Sequence, residues 1–412
     1  MTESIRPRMR HFESATGQQH ITSADHYIYA RREPEYTINV IGTGTIGTEH
    51  MRVAALHGRA RIGAIWDPAP QSMVAALEMF AGRQPDMPRQ HDTLEAACND
   101  ADADALFICS PNHTHLDVLR TAMASGKPIF LEKPMATTVA DAAEIVRLAD
   151  AYESFIQIGL QYRYKAQYRE AGFEVFERDS IGPLHMIEVS EYRPPFLDKV
   201  GQWNKFNCYS GGTFVEKCCH YFDLMNGFAQ SRAARVYASG GQAVNFRDFD
   251  YEGTPSDIDD HGLVIVDYAS GLRGSFSLNM AAPSFREDLV LSGNRGVLRA
   301  SERFDFLHGG GESCMLEIER HEPSTRRLVD IGYPAVIEKS GHHGATYFEH
   351  MAFSDRLAGI ASHAATPRDG LWSVVVASAA QRSIASGAPV MIDMLIEQEG
   401  LQDLCGDSGD YR

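Results

Sequence analysis

Lys133, Glu216 and His220 are the side chains of this chain best suited to moving protons and stabilising charge. Lys133 stands in "IFLEKPMATT", at the end of an apolar run, where an ammonium is costly to bury without a role or a partner. Glu216 and His220 stand in "SGGTFVEKCCHYFDLM". If Glu216 to Met225 is helical, Glu216, His220 and Asp223 share a face, because residues three and four apart stack. The alternative is an exposed polar face, with Phe222 and Leu224 packing on the other side. A neutral imidazole suits the transfer of a proton near pH 7. An ammonium stabilises negative charge as it develops on a nearby oxygen.

"VIGTGTIG" is a candidate dinucleotide-binding turn. Gly42, Gly44 and Gly47 follow the apolar run Ile38 to Ile41 and open a helical pattern at Thr45 and Ile46, whose free N–H groups can receive a pyrophosphate. Gly42 permits the tight turn, Gly44 the approach of the phosphates and Gly47 the packing of helix on strand. The spacing alone also fits a glycine-rich turn without a ligand. The fingerprint further expects an acid at the end of the second strand, and "IGAIWDP" places Asp67 there. A carboxylate repels a 2′-phosphate and no arginine closely follows, so the expected cofactor is NAD rather than NADP.

These residues need a scaffold. From Tyr36 to about Gly159, short apolar runs alternate with helix-length stretches, which indicates an α/β fold with a Rossmann-type, doubly wound parallel sheet. Beyond it, "HMIEVSEY", "GSFSLNM" and similar segments alternate with a period of two. That pattern predicts an α+β domain with a large, mostly antiparallel sheet and helices near 166–178, 213–227, 344–360 and 367–386. The expected division is an N-terminal extension (1–35), a nucleotide domain (36–158), a substrate-binding and oligomerisation domain (159–398) and a loose acidic tail (399–412).

With 412 residues and a formal charge of −17, the chain is a poor match for nucleic acid or an anionic membrane. Its seven cysteines lack a CxxC pair, and no run approaches the roughly 20 apolar residues of a membrane span. A cytoplasmic protein without a metal site is expected. "DIDDHG" (Asp257 to Gly262) reads as a solvated turn, Cys218 and Cys219 as small buried residues, and His342 and His343 either as a glycine-bounded helix start or as pocket residues.

Four ordered elements, "GTGTIG", "SPNHTH", "EKP" and "GGTFVEKCCHYFD", together resemble the Gfo/Idh/MocA family of nicotinamide-dependent oxidoreductases over roughly 36 to 395. The resemblance implies that Lys133 bonds the reacting hydroxyl and the nicotinamide ribose, that His220 is the acid/base, and that Glu216 takes the place of the aspartate in the family's DxGxH pattern. Here Glu216 replaces Asp and Cys218 replaces Gly. It further implies that Ser110, Pro111, Asn112, His115 and Glu132 border the cofactor, with Gln161 and Arg163 near its ribose and phosphate. Arg163, Lys205 and His343 join the expected substrate contacts, and Arg193 and Lys199 with Arg163 and Lys205 read either as a basic lining that accommodates an anionic sugar or as surface charges or cofactor contacts. The implied function is oxidation of a secondary hydroxyl of a sugar, sugar derivative or inositol by a homodimer or homotetramer. An NAD-dependent glycoside hydrolase working by transient oxidation, elimination and re-reduction would use the same residues. A non-catalytic NAD-binding regulator is disfavoured by the presence of Lys133 and His220.

Overall fold

Tyr36–Ile41 is buried along its whole length, which a strand covered on both faces requires. In the computed structural model, which describes residues 33–305 and 311–404, this run is β1 of a six-stranded parallel sheet. Its other strands are β2 (Ala60–Trp66), β3 (Arg89–Gln90), β4 (Ala105–Ile108), β5 (Ile129–Glu132) and β6 (Ile156–Gly159), in the order β3-β2-β1-β4-β5-β6. The order reverses at β1, which pairs in parallel with both β2 and β4. A crevice opens at such a switch point beyond the carboxyl ends of the strands, and ligands bind there.

Helices Thr45–His57, Pro70–Phe80, Leu94–Cys98, His115–Met123 and Val139–Asp150 connect these strands. Another helix on the sheet comes from the far end of the chain. Ala345–Leu357 inserts Phe353 into the same core as Ile38, Val40, Phe107 and Phe130, with the Phe107 and Phe353 ring centroids 5.0 Å apart. Residues that the sequence assigns to the second domain thus complete the first.

The second sheet has nine strands: β7 (Leu184–Tyr192), β8 (Ala233–Gly241), β11 (His261–Tyr268), β12 (Arg273–Asn279), β13 (Phe285–Gly293), β14 (Gly296–Asp305), β15 (Gly311–Arg320), β16 (Thr325–Asp330) and β17 (Val390–Met391). A small hairpin supplies β9 (Asp250–Tyr251) and β10 (Thr254–Pro255). The order is β16-β15-β14-β13-β7-β12-β11-β8-β17, antiparallel except for β7 against β12. Alternate residues such as Val264, Val266, Phe276 and Leu278 are buried, while Leu263 and Ile265 face outward. The buried face carries helices Cys219–Ala229 and Pro367–Ser386, the latter started by a Thr366/Asp369 capping box with Pro367 in the first turn.

Three local expectations change. The helix expected over 213–227 is two, Thr213–Glu216 and Cys219–Ala229, broken at Lys217 and Cys218. The helix expected to 178 ends at Gly172 and continues as a wider turn over Phe173–Glu177. The tail packs as far as Leu404: Leu401 and Leu404 are buried, and Arg147 donates to Asp403 and to the Gly400 carbonyl. The remaining expectations for the extension and tail concern residues 1–32 and 405–412, outside the described residues. Among the described residues no helix is long and apolar enough to cross a membrane.

Candidate active site

A cavity of about 960 Å³ runs from Gly44 and Asp67, at the carboxyl ends of β1 and β2, to Phe285 and His343 in the second domain. The glycines explain its shape at the first end. Gly42 has φ +89°, and a Cβ there would fall 2.6 Å from the backbone of Cys109 and Ser110. A Cβ on Gly47 would meet the Gly42 carbonyl oxygen at 2.0 Å, so the helix could not lie against the turn. A Cβ on Gly44 meets nothing within 4 Å. It would project into the space ahead of the Thr45–His57 helix, whose first turn has no side-chain cap and no acid. The N–H groups and positive dipole end there suit a pyrophosphate, and Thr45 and Ile46 line the same space. Asp67 is held in position by the Thr43 and Ala69 amides, at 2.8 and 2.9 Å. Gln161 is fully buried on the cavity wall, and both polar atoms of its amide lack a protein partner. An open cradle at a helix start, an acid beyond it and an unsatisfied amide deeper in fit a dinucleotide.

Ser110, Pro111 and Asn112 form the wall after β4, and Glu132 and Lys133 the wall after β5. His115 does not line the cavity. Its Nδ1 and Nε2 lie 2.9 Å from the carbonyls of Pro134 and Ser110, so it ties the two loops together. Glu132 receives the Lys133 amide at 2.9 Å and lies 2.7 Å from His50 Nε2, while His50 Nδ1 lies 2.8 Å from His350 Nε2. These contacts span the nucleotide helix, β5 and the returning helix Ala345–Leu357.

Lys133 and Glu216 meet across the domains. The Lys133 ammonium donates to the Glu216 carbonyl at 3.0 Å and to its Oε2 at 3.4 Å, and Asn112 Nδ2 donates to the same Oε2 at 3.0 Å. Burial alone would lower the Lys133 pKa, but the nearby carboxylates, Glu216 and then Glu132, outweigh it and raise it. His220 is buried with its ring stacked on Tyr162, centroids 4.0 Å apart, and its Nδ1 has no hydrogen-bond partner. Burial, then Lys133, Lys217, His342 and Lys165, hold its pKa well below the ordinary value, so the imidazole is neutral. The three candidates converge, although Glu216, His220 and Asp223 do not form the continuous helix face considered from sequence, nor an exposed one. Glu216 turns to Lys133, His220 to Tyr162, and Asp223 to Arg163.

Arg163 and Lys205 lie off the cavity wall. Arg163 is occupied by Asp223, at 2.5 and 2.7 Å, and by Asp369 at 3.2 Å. Lys205 donates to the carbonyls of Phe196 and Leu197 at 3.4 and 3.1 Å and so braces, from beneath, the loop that lines the cavity. His342 and His343 both line the cavity while also preceding a helix. His342 Nδ1 lies 2.6 Å from Glu49 on the nucleotide helix, joining the domains. Tyr162 and Lys217, bonded to each other, also line it, as do Lys165 and Trp203. Sequence reasoning passed over these, since nothing in the spacing of "GLQYRY" or "VEKCCH" distinguishes pocket from core. "DIDDHG" is not a solvated turn: Asp260 is buried and accepts the amides of Ala243, Val244 and Asn245. Cys218 and Cys219 are fully buried, and burial pushes the Cys219 thiol up to about 12.

A nucleotide seat at the switch point, a paired ammonium at the end of β5 beside it and a neutral base facing both from the adjoining domain are the layout of a dinucleotide-dependent oxidoreductase. The comparisons agree. The chain belongs to the Gfo/Idh/MocA oxidoreductases: the family's NAD-binding Rossmann-fold model matches residues 36–160, and its C-terminal alpha/beta-domain model matches 174–392. NAD is therefore the cofactor. The inositol 2-dehydrogenase of Rhizobium meliloti (strain 1021) is 25% identical over 357 residues, covering 86% of this chain and 98% of that protein. The structure of levoglucosan dehydrogenase with NADH and levoglucosan superposes with a TM-score of 0.70 at 18% identity, covering 87% of this chain and 99% of that one. The WlbA dehydrogenase from Bordetella pertussis, solved with NADH and UDP-GlcNAcA, gives 0.66 at 20% identity, covering 86% and 98%.

Asp67 offers a direct check on the cofactor. Replacing it with serine removes the carboxylate that a 2′-phosphate would meet. Asp67→Ser is expected to narrow the NAD-over-NADP ratio of kcat/KM by about tenfold or more, an effect of about 1.4 kcal/mol. An unchanged ratio would remove Asp67 from cofactor discrimination.

Proposed function

We propose that the protein oxidises a secondary hydroxyl of a sugar, sugar derivative or inositol. The observation that carries this reading is a buried, neutral His220 in the same cavity as the Lys133–Glu216 pair and the dinucleotide seat. Lys133, Glu216 and His220 are the catalytic group; Gly42, Gly44, Thr45, Ile46, Asp67, Ser110, Pro111, Asn112, Glu132 and Gln161 line the cofactor's side. NAD supplies the hydride acceptor. The Lys133 ammonium orients the substrate hydroxyl and stabilises negative charge as it develops on that oxygen. His220 takes the hydroxyl proton, which it can do while its imidazole is neutral. Glu216, itself held by Asn112, keeps Lys133 in place. Tyr162 fixes the imidazole plane by stacking. The apolar outer face of the second sheet, with Leu263, Ile265 and Tyr237, supports assembly as a homodimer or homotetramer.

Incubation with NAD and a panel of sugars, inositols and aryl glycosides tests the reading, with NADH formed in proportion to substrate as the expected result. Aglycone release without net NADH would replace dehydrogenation by transient-oxidation glycoside cleavage, and neither product would remove both. With an active substrate, the acid limb of kcat/KM should fall below pH 6.5, because the histidine base stays unprotonated there. An acid limb above pH 6.5 would assign the titration to another group.

A further inference from the structure

We propose that the cavity wall formed by Arg193, Lys199 and Lys217 seats an anionic substituent of the substrate, a carboxylate, phosphate or sulfonate on a sugar or polyol. This rests on the dehydrogenase reading above and names the substrate class of that site. The charges on the wall do not balance. Lys133 is matched by Glu216, and Lys165 by Glu287 and Glu302. Arg193 and Lys217 share Glu191, at 3.7 and 3.2 Å. The Lys199 ammonium has no hydrogen-bond or ion-pair partner among the described residues, and the residue is half-buried rather than extended into solvent. Lys133, Lys165, Arg193, Lys199 and Lys217 thus face four carboxylates, Glu216, Glu287, Glu302 and Glu191, which leaves one positive charge without a counter-charge in a chain whose formal net charge is −17.

Partly buried cations without partners are costly, and a cavity retains them where a ligand completes them. Arg193 is prepared for that role. Its Nε is held by the Pro194 carbonyl at 3.1 Å and its plane lies over the Phe196 ring at 5.2 Å, while its terminal nitrogens have only the distant Glu191. A planar guanidinium fixed in this way matches two oxygens of a carboxylate, phosphate or sulfonate. Burial holds the amines of Lys199 and Lys217 below the ordinary lysine range, as it would where water has been replaced and no full counter-charge supplied.

The location assigns the anion to the substrate rather than to the cofactor's pyrophosphate. Lys217 bonds the Tyr162 hydroxyl, and Tyr162 stacks on His220, so this wall adjoins the proposed base. The pyrophosphate seat is at the opposite domain, ahead of the helix that starts at Thr45.

The test uses the NAD-loaded protein with glucose, glucuronate, glucose 6-phosphate, glucose 6-sulfonate and myo-inositol, read by calorimetric binding and by NADH formation. At least one anionic sugar is expected to bind about 10–100-fold more tightly than glucose, the range of one or two charge-assisted hydrogen bonds. Its affinity should weaken with added salt. Lys199→Gln, at a half-buried position that bears no core packing, should weaken binding of that sugar about tenfold, and Arg193→Gln should do so by at least as much. The three anionic sugars distinguish carboxylate, phosphate and sulfonate. Equal binding of glucose and all three anions, or tight anion binding unchanged in both variants, overturns the seat. NADH from glucose or myo-inositol in that case leaves the dehydrogenase reading standing. Anion binding lost in the variants, with no NADH and no glycoside cleavage, would establish the seat and overturn the reading.

Discussion

Replacing Lys133 by methionine is expected to lower kcat about 10²- to 10³-fold, about 3–4 kcal/mol of barrier, by removing a fixed positive charge from the oxygen that becomes an alkoxide. Methionine keeps the length and apolar character of the lysine stem, so the loop ending β5 retains its packing. The variant has a second signature. After burial itself, the Lys133 charge does most to hold His220 neutral. Without that charge the imidazole protonates more readily, and the acid limb of the residual activity should move to higher pH than in the parent. Lower kcat with an unmoved acid limb would mean that Lys133 and the titrating base do not sense each other. Full activity would remove Lys133 from the mechanism.

The residues that could be found in sequence are those whose chemistry is local. Gly42, Gly44 and Gly47 are recognisable because their roles depend on a turn and the next helix, six residues of chain in all. Asp67 follows from the strand that the turn implies, and Lys133 from an ammonium placed at the end of a buried run. The parallel and antiparallel sheets follow from continuous and alternating burial. Long-range partners leave no such trace. Nothing in "RYKAQYRE" shows that Arg163 is consumed by Asp223 and Asp369, and Lys205 looks like any pocket lysine until the Phe196 and Leu197 carbonyls are in view. The break at Lys217 and Cys218 is also tertiary. It lets Glu216 face Lys133 while Lys217 faces Tyr162 and Glu191, which a continuous helix would not.

The clearest effect of tertiary structure lies in the helix Ala345–Leu357, which crosses back to the nucleotide domain and places Glu349 and His350 behind Glu132. Glu349 is fully buried, and neither carboxylate oxygen has a hydrogen-bond partner. Burial, then the charges of Glu132 and Glu49, raise its pKa well above the usual value, with Arg163 opposing. In the folded chain it is a neutral acid, which spares Glu132 a further negative charge beside the cofactor's side of the cavity. The consequence for stability has a definite sign. A group with a raised folded pKa contributes its stability below the unfolded pKa, near 4.5, and loses it as pH rises toward the folded pKa. At pH 8 the unfolded chain gains by ionising Glu349 and the folded chain does not. Glu349→Gln abolishes that difference, because an amide is neutral in both states and fills nearly the same volume. In urea unfolding, the variant is expected to match the parent below the unfolded pKa and to exceed it by a margin that widens as pH rises from 5 to 8. His220 and His350, whose folded pKa values are depressed, reduce stability as pH falls below 6.5. They are present in both proteins, so to first order their contribution cancels at each pH. An advantage independent of pH would indicate packing rather than ionisation, and a variant less stable than the parent at pH 8 would show that Glu349 is charged and compensated in the folded state.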